Sequence, residues 1–115
     1  MFIGEYKYNL DKKNRLAVPS KFRNLFKDGA VITKGLDNCL FVYTTKEWKK
    51  LADKLASLPF SQAKSRAFSR MMLAGAMDVK IDKLGRVILP DYLRTFAGLN
   101  KKVVMAGLYN RLEIW

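Results

Sequence analysis

Two short segments of the chain combine an aspartate, lysine and an arginine at the same spacing. The first reads Asp-Lys-Lys-Asn-Arg from Asp11 to Arg15, and the second reads Asp-Lys-Leu-Gly-Arg from Asp82 to Arg86. A turn that projects lysine and arginine suits contact with phosphate, and the planar fork of arginine also fits the O6/N7 edge of guanine. The spacing therefore favours two DNA-contacting turns centred on Arg15 and Arg86. The other candidate contacts in these turns are Lys12, Lys13, Asn14 and Lys83.

The two aspartates allow a second interpretation, a pair of carboxylates that share a proton as in aspartic proteases. Each aspartate is followed directly by a lysine and four residues later by an arginine. Nearby positive charge lowers the pKa of a carboxylate and keeps it ionised, whereas such a pair must hold a proton at neutral pH. We therefore expect Asp11 and Asp82 to accept backbone N–H bonds in their own turns and to orient Arg15 and Arg86.

The composition excludes several kinds of active site. The chain has no histidine and one cysteine, Cys39, so Ser-His-Asp and Cys-His sites cannot form within one chain, nor can zinc sites built from several His or Cys ligands. Neither a G-x-x-x-x-G-K-[ST] nor a G-x-G-x-x-G loop occurs. We expect no enzyme activity, no cofactor, no metal and no small-molecule substrate, with Cys39 as a small core residue.

The charge balance indicates the class of partner. Lysine and arginine total 22 against 10 acidic residues, a net charge of +12 on 115 residues, which favours a polyanion. The N-terminus has no apolar region of the kind found in signal peptides. The longest apolar stretch, Met71 to Met77, is far shorter than a membrane span. We expect a cytoplasmic protein with no membrane partner.

The chain contains an internal repeat. Residues 10–23 match residues 81–94, with identical Asp, Lys, Arg, Pro and final Arg, and residues 35–43 then match residues 107–115. We predict a first unit at 1–44, a central helical insert at 45–76 and a second unit at 77–115, with both units forming one pseudo-two-fold domain.

Each unit is predicted to contain a strand, a tight turn, a second strand, a short helix and a hairpin. Tyr6, Tyr8 and Leu10 alternate with polar residues, as in a half-buried strand. Asn14 and Gly85 occupy matching turn positions, and both tolerate positive φ. Further expectations are that Ser20 and Asp91 cap short helices ending near Phe26 and Phe96, and that Gly35 and Gly107 lie in hairpin turns.

The insert reads as two helices. Thr44 and Glu47 fit a capping box for the first helix, and the second is predicted at about 61–74. Arg66 and Arg70 lie one turn apart on it and are interpreted as a solvated face. For Arg23 and Arg94, which follow the two prolines, structural packing and phosphate contact stay equally open.

Together, the two basic motifs resemble the paired motif of the MraZ family, in which two AbrB-type DNA-binding units are fused. The resemblance also covers Asn38-Cys39-Leu40, Leu58-Pro59 and the closing Leu-Glu-Ile-Trp. It implies an α+β fold, specifically a swapped-hairpin, double-split β-barrel made by both units. It also implies a ring-like homo-oligomer larger than a dimer. The family's Asp-x-x-x-Arg motif corresponds here to Asp11 with Arg15 and Asp82 with Arg86, and Asn14 stands where the family usually has glycine.

The same resemblance implies a nucleoid-associated bacterial transcription factor. It would bind double-stranded promoter DNA upstream of the division and cell-wall operon. Two alternatives stay open. An antitoxin-like interaction protein of the AbrB kind would need a toxin-binding tail after Trp115. An RNA-binding module would normally display aromatic side chains on an exposed sheet face, whereas the aromatic residues here alternate along strands.

Overall fold

The computed structural model describes all of residues 1–115 as an α+β protein dominated by antiparallel strands. In chain order the elements are β1 (Phe2–Asn9), β2 (Arg15–Ala17), a 3-10 helix (Ser20–Phe26), β3 (Ala30–Lys34), β4 (Leu40–Thr44), α1 (Thr45–Ala56), α2 (Ala63–Ala74), β5 (Met77–Val79), β6 (Arg86–Ile88), α3 (Asp91–Phe96), β7 (Lys102–Tyr109) and β8 (Leu112–Ile114). No helix has the length and apolar character that crossing a membrane requires.

The two repeats pair with each other rather than folding side by side. Six strands form one sheet in the order β1-β7-β8-β4-β3-β5, and β2 pairs with β6 in a separate two-stranded sheet. The longest ladder joins β1 of the first repeat to β7 of the second, from Phe2 opposite Tyr109 to Asn9 opposite Lys102. The α+β class is confirmed. Because β1 and β5 are the edges of an open sheet, the ladders do not close into a barrel, and the double-split barrel stays a prediction.

Residues from both repeats share the main core. It contains 18 buried residues, among them Leu16, Ile32, Leu93 and Leu112, all with essentially no exposed surface. Full burial of such a side chain stabilises the fold by about 1.5–3 kcal/mol. Since the core draws on both repeats, it holds the β2–β6 ladder against the larger sheet.

A second, smaller core lies under the insert. Cys39, Phe41 and Tyr43 pack there with Leu55 of α1 and Met72 of α2. Cys39 is fully buried, which confirms the prediction of a small core residue, and this burial raises the pKa of its thiol to about 11. The Oγ1 atom of Thr44 accepts a hydrogen bond from the Glu47 backbone N–H at 3.2 Å, which confirms the predicted start of α1.

Two local predictions are wrong. The helix N-caps are Pro19 and Pro90, not Ser20 and Asp91, and neither cap residue makes a side-chain hydrogen bond. Proline fixes φ near the required value, here −51° and −57°, and extended ψ angles place the next residue as the first helical one. The predicted ends near Phe26 and Phe96 are confirmed.

The second wrong prediction concerns Gly107, which lies within β7 rather than in a turn. A Cβ there would come within 2.5 Å of the Ile3 backbone nitrogen on β1. The glycine thus permits a close approach of two strands. Its repeat equivalent, Gly35, does lie at the base of the β3–β4 turn, where its N–H donates to the Cys39 carbonyl at 2.8 Å.

Candidate nucleic-acid interface

The first turn is built around the carboxylate of Asp11. Oδ1 accepts hydrogen bonds from the backbone N–H groups of Lys13 at 2.8 Å and Arg15 at 2.9 Å, and Oδ2 accepts one from Arg15 Nε at 2.6 Å. The backbone closes through Asn14 N–H to the Asp11 carbonyl at 3.0 Å, with Asn14 at a φ of 58°. One carboxylate therefore fixes both the backbone of the turn and the direction of the arginine.

The second turn repeats this geometry. Asp82 Oδ1 accepts from the backbone N–H groups of Leu84 and Arg86, both at 2.9 Å, and Oδ2 accepts from Arg86 Nε at 3.0 Å. Gly85 takes the place of Asn14 and has a φ of 78°. Both residue types are expected to tolerate positive φ, and both positions adopt it, with asparagine doing so in the first turn.

Both carboxylates are held in the ionised form. The backbone N–H of Arg15 is the largest influence that lowers the pKa of Asp11, and the backbone N–H of Arg86 does the same for the pKa of Asp82. A carboxylate with a lowered pKa does not retain a proton at neutral pH. The interpretation of these aspartates as residues that orient arginine agrees with this geometry, and a proton-sharing pair does not.

The β2–β6 ladder brings the two turns to one face of the molecule. Arg15 lies opposite Ile88 and Ala17 lies opposite Arg86 across this ladder. The intervening residues, Leu16 and Val87, point into the core, so the two arginines share the outward face. Arg86 Nη1 is also 4.0 Å from Asp11 Oδ2. The four charged residues of the repeated motif therefore form one cluster, although 71 positions separate the copies in sequence.

The arginines keep donors available for a ligand. Each has 28% of its side chain exposed, and each donates to its own aspartate through Nε. Nη1 and Nη2 of Arg15 make no hydrogen bond within the chain. A guanidinium held by Nε can present its two Nη groups as a fork to a phosphate or a base edge.

The remaining predicted residues surround this cluster. Lys12, Lys13 and Lys83 are exposed and form no ion pair, while Asn14 is half-buried in the turn backbone. Three free ammonium groups beside two oriented guanidinium groups give this face a concentrated positive charge. Arg66 and Arg70 lie elsewhere, exposed on α2 as predicted.

Arg23 and Arg94 match in sequence but differ in structure. Arg23 Nε donates to the Val18 carbonyl at 3.0 Å, and its guanidinium lies against Gly85, where a Cβ would collide with it. Arg94 instead pairs with Asp91 at 3.2 Å and leaves its buried Nε without a partner. Arg23 therefore packs on the second turn, and both arginines have structural contacts.

A cleft next to the second turn contains basic residues that the motif did not reveal. Its volume is about 760 Å³, and its lining includes four basic side chains, Arg23, Lys27, Lys80 and Lys83, with two acidic ones, Asp28 and Asp82. Lys27 and Lys80 come from segments that are distant in sequence, so no local pattern could have placed them together.

Most aromatic side chains are occupied in packing. Phe2 stacks on Phe26 and meets Phe22 edge-on, at ring separations of 5.4 and 5.0 Å. Of the exposed rings, Phe60 lies in the segment between α1 and α2, and Tyr109 lies at the end of β7. This arrangement does not resemble the aromatic platform on which single-stranded RNA stacks.

Comparison with known proteins identifies relatives along the whole chain. The sequence model described as "MraZ protein, putative antitoxin-like" matches residues 1–71 and 72–115. A protein of Desulforamulus reducens named "Transcriptional regulator MraZ" is 50% identical over 115 residues, covering 100% of this chain and 81% of the relative. Proteins of the same name from Natranaerobius thermophilus and Clostridium acetobutylicum are 50% and 49% identical, again over 100% of this chain and over 80% and 81% of the relatives.

Proposed function

The chain belongs to the MraZ family, and on that premise we propose that it is a transcriptional regulator that binds duplex DNA through its two basic turns. The name shared by the relatives describes regulation of transcription and not an enzyme activity. The observation that carries the proposal is the matched pair of turns, in which Asp11 and Asp82 aim Arg15 and Arg86 outward from one ladder.

In this proposal the two residue types have different tasks. Lys12, Lys13 and Lys83 contact phosphates and supply affinity that depends on salt. Arg15 and Arg86 contact base edges and supply part of the sequence preference. The orienting aspartates reduce the rotamer freedom that each arginine would otherwise lose on binding.

The proposed target is promoter DNA upstream of the division and cell-wall operon, at the nucleoid. A single pair of turns covers a short sequence, so we propose that a ring-like oligomer larger than a dimer reads several boxes together. The open edges of β1 and β5, and the exposed side chains of Ile3 and Tyr109, support assembly through strand edges and apolar surface. The swapped-hairpin, double-split barrel belongs to this proposal, because strands of the two repeats already pair with each other.

The test is affinity for promoter DNA and scrambled DNA of equal length, measured by fluorescence anisotropy between roughly 50 and 200 mM salt. The logarithm of affinity should fall with the logarithm of salt concentration, at a slope of about −0.9 per neutralised phosphate. Lys12→Ala with Lys13→Ala should flatten the slope. Lys46→Ala with Lys54→Ala removes the same charge from exposed positions of α1 and should leave it unchanged. If the affinity does not change with salt concentration, the turns do not contact phosphates.

An antitoxin-like role is the second candidate, because the matching family description contains that term. It predicts a stable complex with a protein toxin that forms without DNA. Light scattering on the protein alone tests the proposed ring separately, and a monomeric mass at micromolar concentration would contradict that ring.

A further inference from the structure

The two turns have the same backbone but different side chains at the tip. Leu84 N–H donates to Asp82 Oδ1 at 2.9 Å, as Lys13 N–H donates to Asp11 Oδ1 at 2.8 Å. Leu84 therefore occupies in the second turn the place of Lys13 in the first. Leu84 is 66% exposed, so the second turn presents an isobutyl group where the first presents an ammonium group.

The adjoining strand shows the same difference. Ile88 on β6 corresponds to Ala17 on β2 and is 60% exposed. It lies directly opposite Arg15, on the outward face that also carries Arg86. In sequence, the large apolar residues Leu84 and Ile88 stand two positions before and after Arg86, where Lys13 and the small Ala17 stand around Arg15.

The surroundings of these apolar groups favour a nucleic acid as their partner. Lys83 precedes Leu84, and the guanidinium groups of Arg86 and Arg15 lie on the same face. An apolar protein surface would have to desolvate these cations without compensation, whereas DNA supplies phosphates for them. In the major groove, the apolar group that DNA presents is the 5-methyl of thymine.

We propose that Leu84 contacts the 5-methyl group of a thymine adjacent to the base that Arg86 contacts. The two turns then recognise different base steps, and only the second discriminates thymine through its methyl group. This inference rests on the proposed DNA-binding function and adds a specificity-determining residue to it.

The experiment removes the methyl group from the DNA and the leucine from the protein in turn. Promoter DNA is prepared with thymine and with deoxyuridine, which lacks only the 5-methyl group, and affinity is measured by anisotropy at fixed salt. Wild-type protein should bind the deoxyuridine DNA about fourfold more weakly for each methyl group contacted. Leu84→Ala should bind both DNAs with equal affinity. Single substitutions along the site then locate the thymine.

Three further variants separate the explanations. Leu84→Lys gives the second turn the tip residue of the first, and should bind DNA without responding to the methyl group. Lys13→Ala should weaken binding to both DNAs and retain the wild-type ratio. Leu36→Ala removes another exposed leucine, on the β3–β4 turn, and should change nothing. Circular dichroism confirms that each variant is folded.

The outcomes distinguish a failure of the thymine contact from a failure of the proposed DNA-binding function. If wild-type protein and both Leu84 variants lose the same affinity on methyl removal, Leu84 does not read thymine. If Leu84→Ala changes the mass of the assembly but not the methyl response, Leu84 lies in an interface between copies and the inference is overturned. If wild-type protein binds neither DNA, the proposed function itself fails.

Discussion

Replacing Arg15 with alanine should reduce promoter preference far more than it reduces stability. Arg15 Nε is committed to Asp11 at 2.6 Å, and its Nη1 and Nη2 groups are the ones left for a base edge. A bidentate arginine contact contributes about 1–3 kcal/mol of discrimination, equivalent to roughly 5- to 150-fold in affinity. Because every subunit of an oligomer would lose the same contact, the observed loss should exceed that of one site.

The matched control is Lys13→Ala, which removes the same unit of charge from the same turn. Lys13 is exposed and forms no ion pair, so it should act through phosphate alone. Its loss should weaken binding to promoter and scrambled DNA by a similar factor and flatten the salt slope by about one unit per site. Asp11→Ala should partly mimic Arg15→Ala, because the guanidinium loses its orienting carboxylate.

Anisotropy with both DNAs and a thermal melting curve complete the test. A partly exposed ion pair contributes little to stability, so the melting temperature of Arg15→Ala should fall by less than about 5 °C. If Arg15→Ala unfolds the protein, or if the ratio of promoter to scrambled affinity is unchanged, Arg15 is a structural residue and its assignment as a base contact is wrong.

Three further predictions concern the fold that holds the turns. Gly107→Ala should lower the free energy of unfolding by roughly 1–3 kcal/mol in urea titration, because its Cβ would lie 2.5 Å from the β1 backbone. If the variant is as stable as the wild-type protein, the β1 backbone moves to accommodate the Cβ and the reason given is wrong. Gly85→Asn should lower the free energy of unfolding by about 1 kcal/mol, because asparagine accepts positive φ but its side chain displaces Arg23 from the Val18 carbonyl. If Gly85→Asn costs the same free energy in a protein that already carries Arg23→Ala, this reason is wrong. Since the pKa values of Asp11 and Asp82 are lowered, their contribution to stability is present at neutral pH and is lost as pH falls below 3.8 through the folded-state values. The melting temperatures of wild-type protein and the Asp11→Asn, Asp82→Asn double variant should therefore differ at pH 7 and converge in acid, and a constant difference would refute the linkage.

The sequence by itself determined the local features of the site. The positive φ of Asn14 and Gly85, and the aspartate that accepts from its own arginine, depend on contacts within five consecutive residues. The short helices that follow the turns also end where the sequence pattern predicts. These features were accessible because turn geometry, side-chain reach and strand alternation follow from neighbouring residues.

Only the tertiary structure decided how those local pieces meet. The pairing of β2 with β6 places both arginines on one face, and the approach of β1 to β7 explains a glycine that the sequence pattern assigns to a turn. The packing of Arg23 on Gly85 and the gathering of Lys27 and Lys80 in one cleft are equally invisible to sequence periodicity. Each of these features joins residues that are far apart along the chain. Such contacts form because burying a shared core selects one arrangement of the two repeats, and no local propensity encodes which backbones then touch.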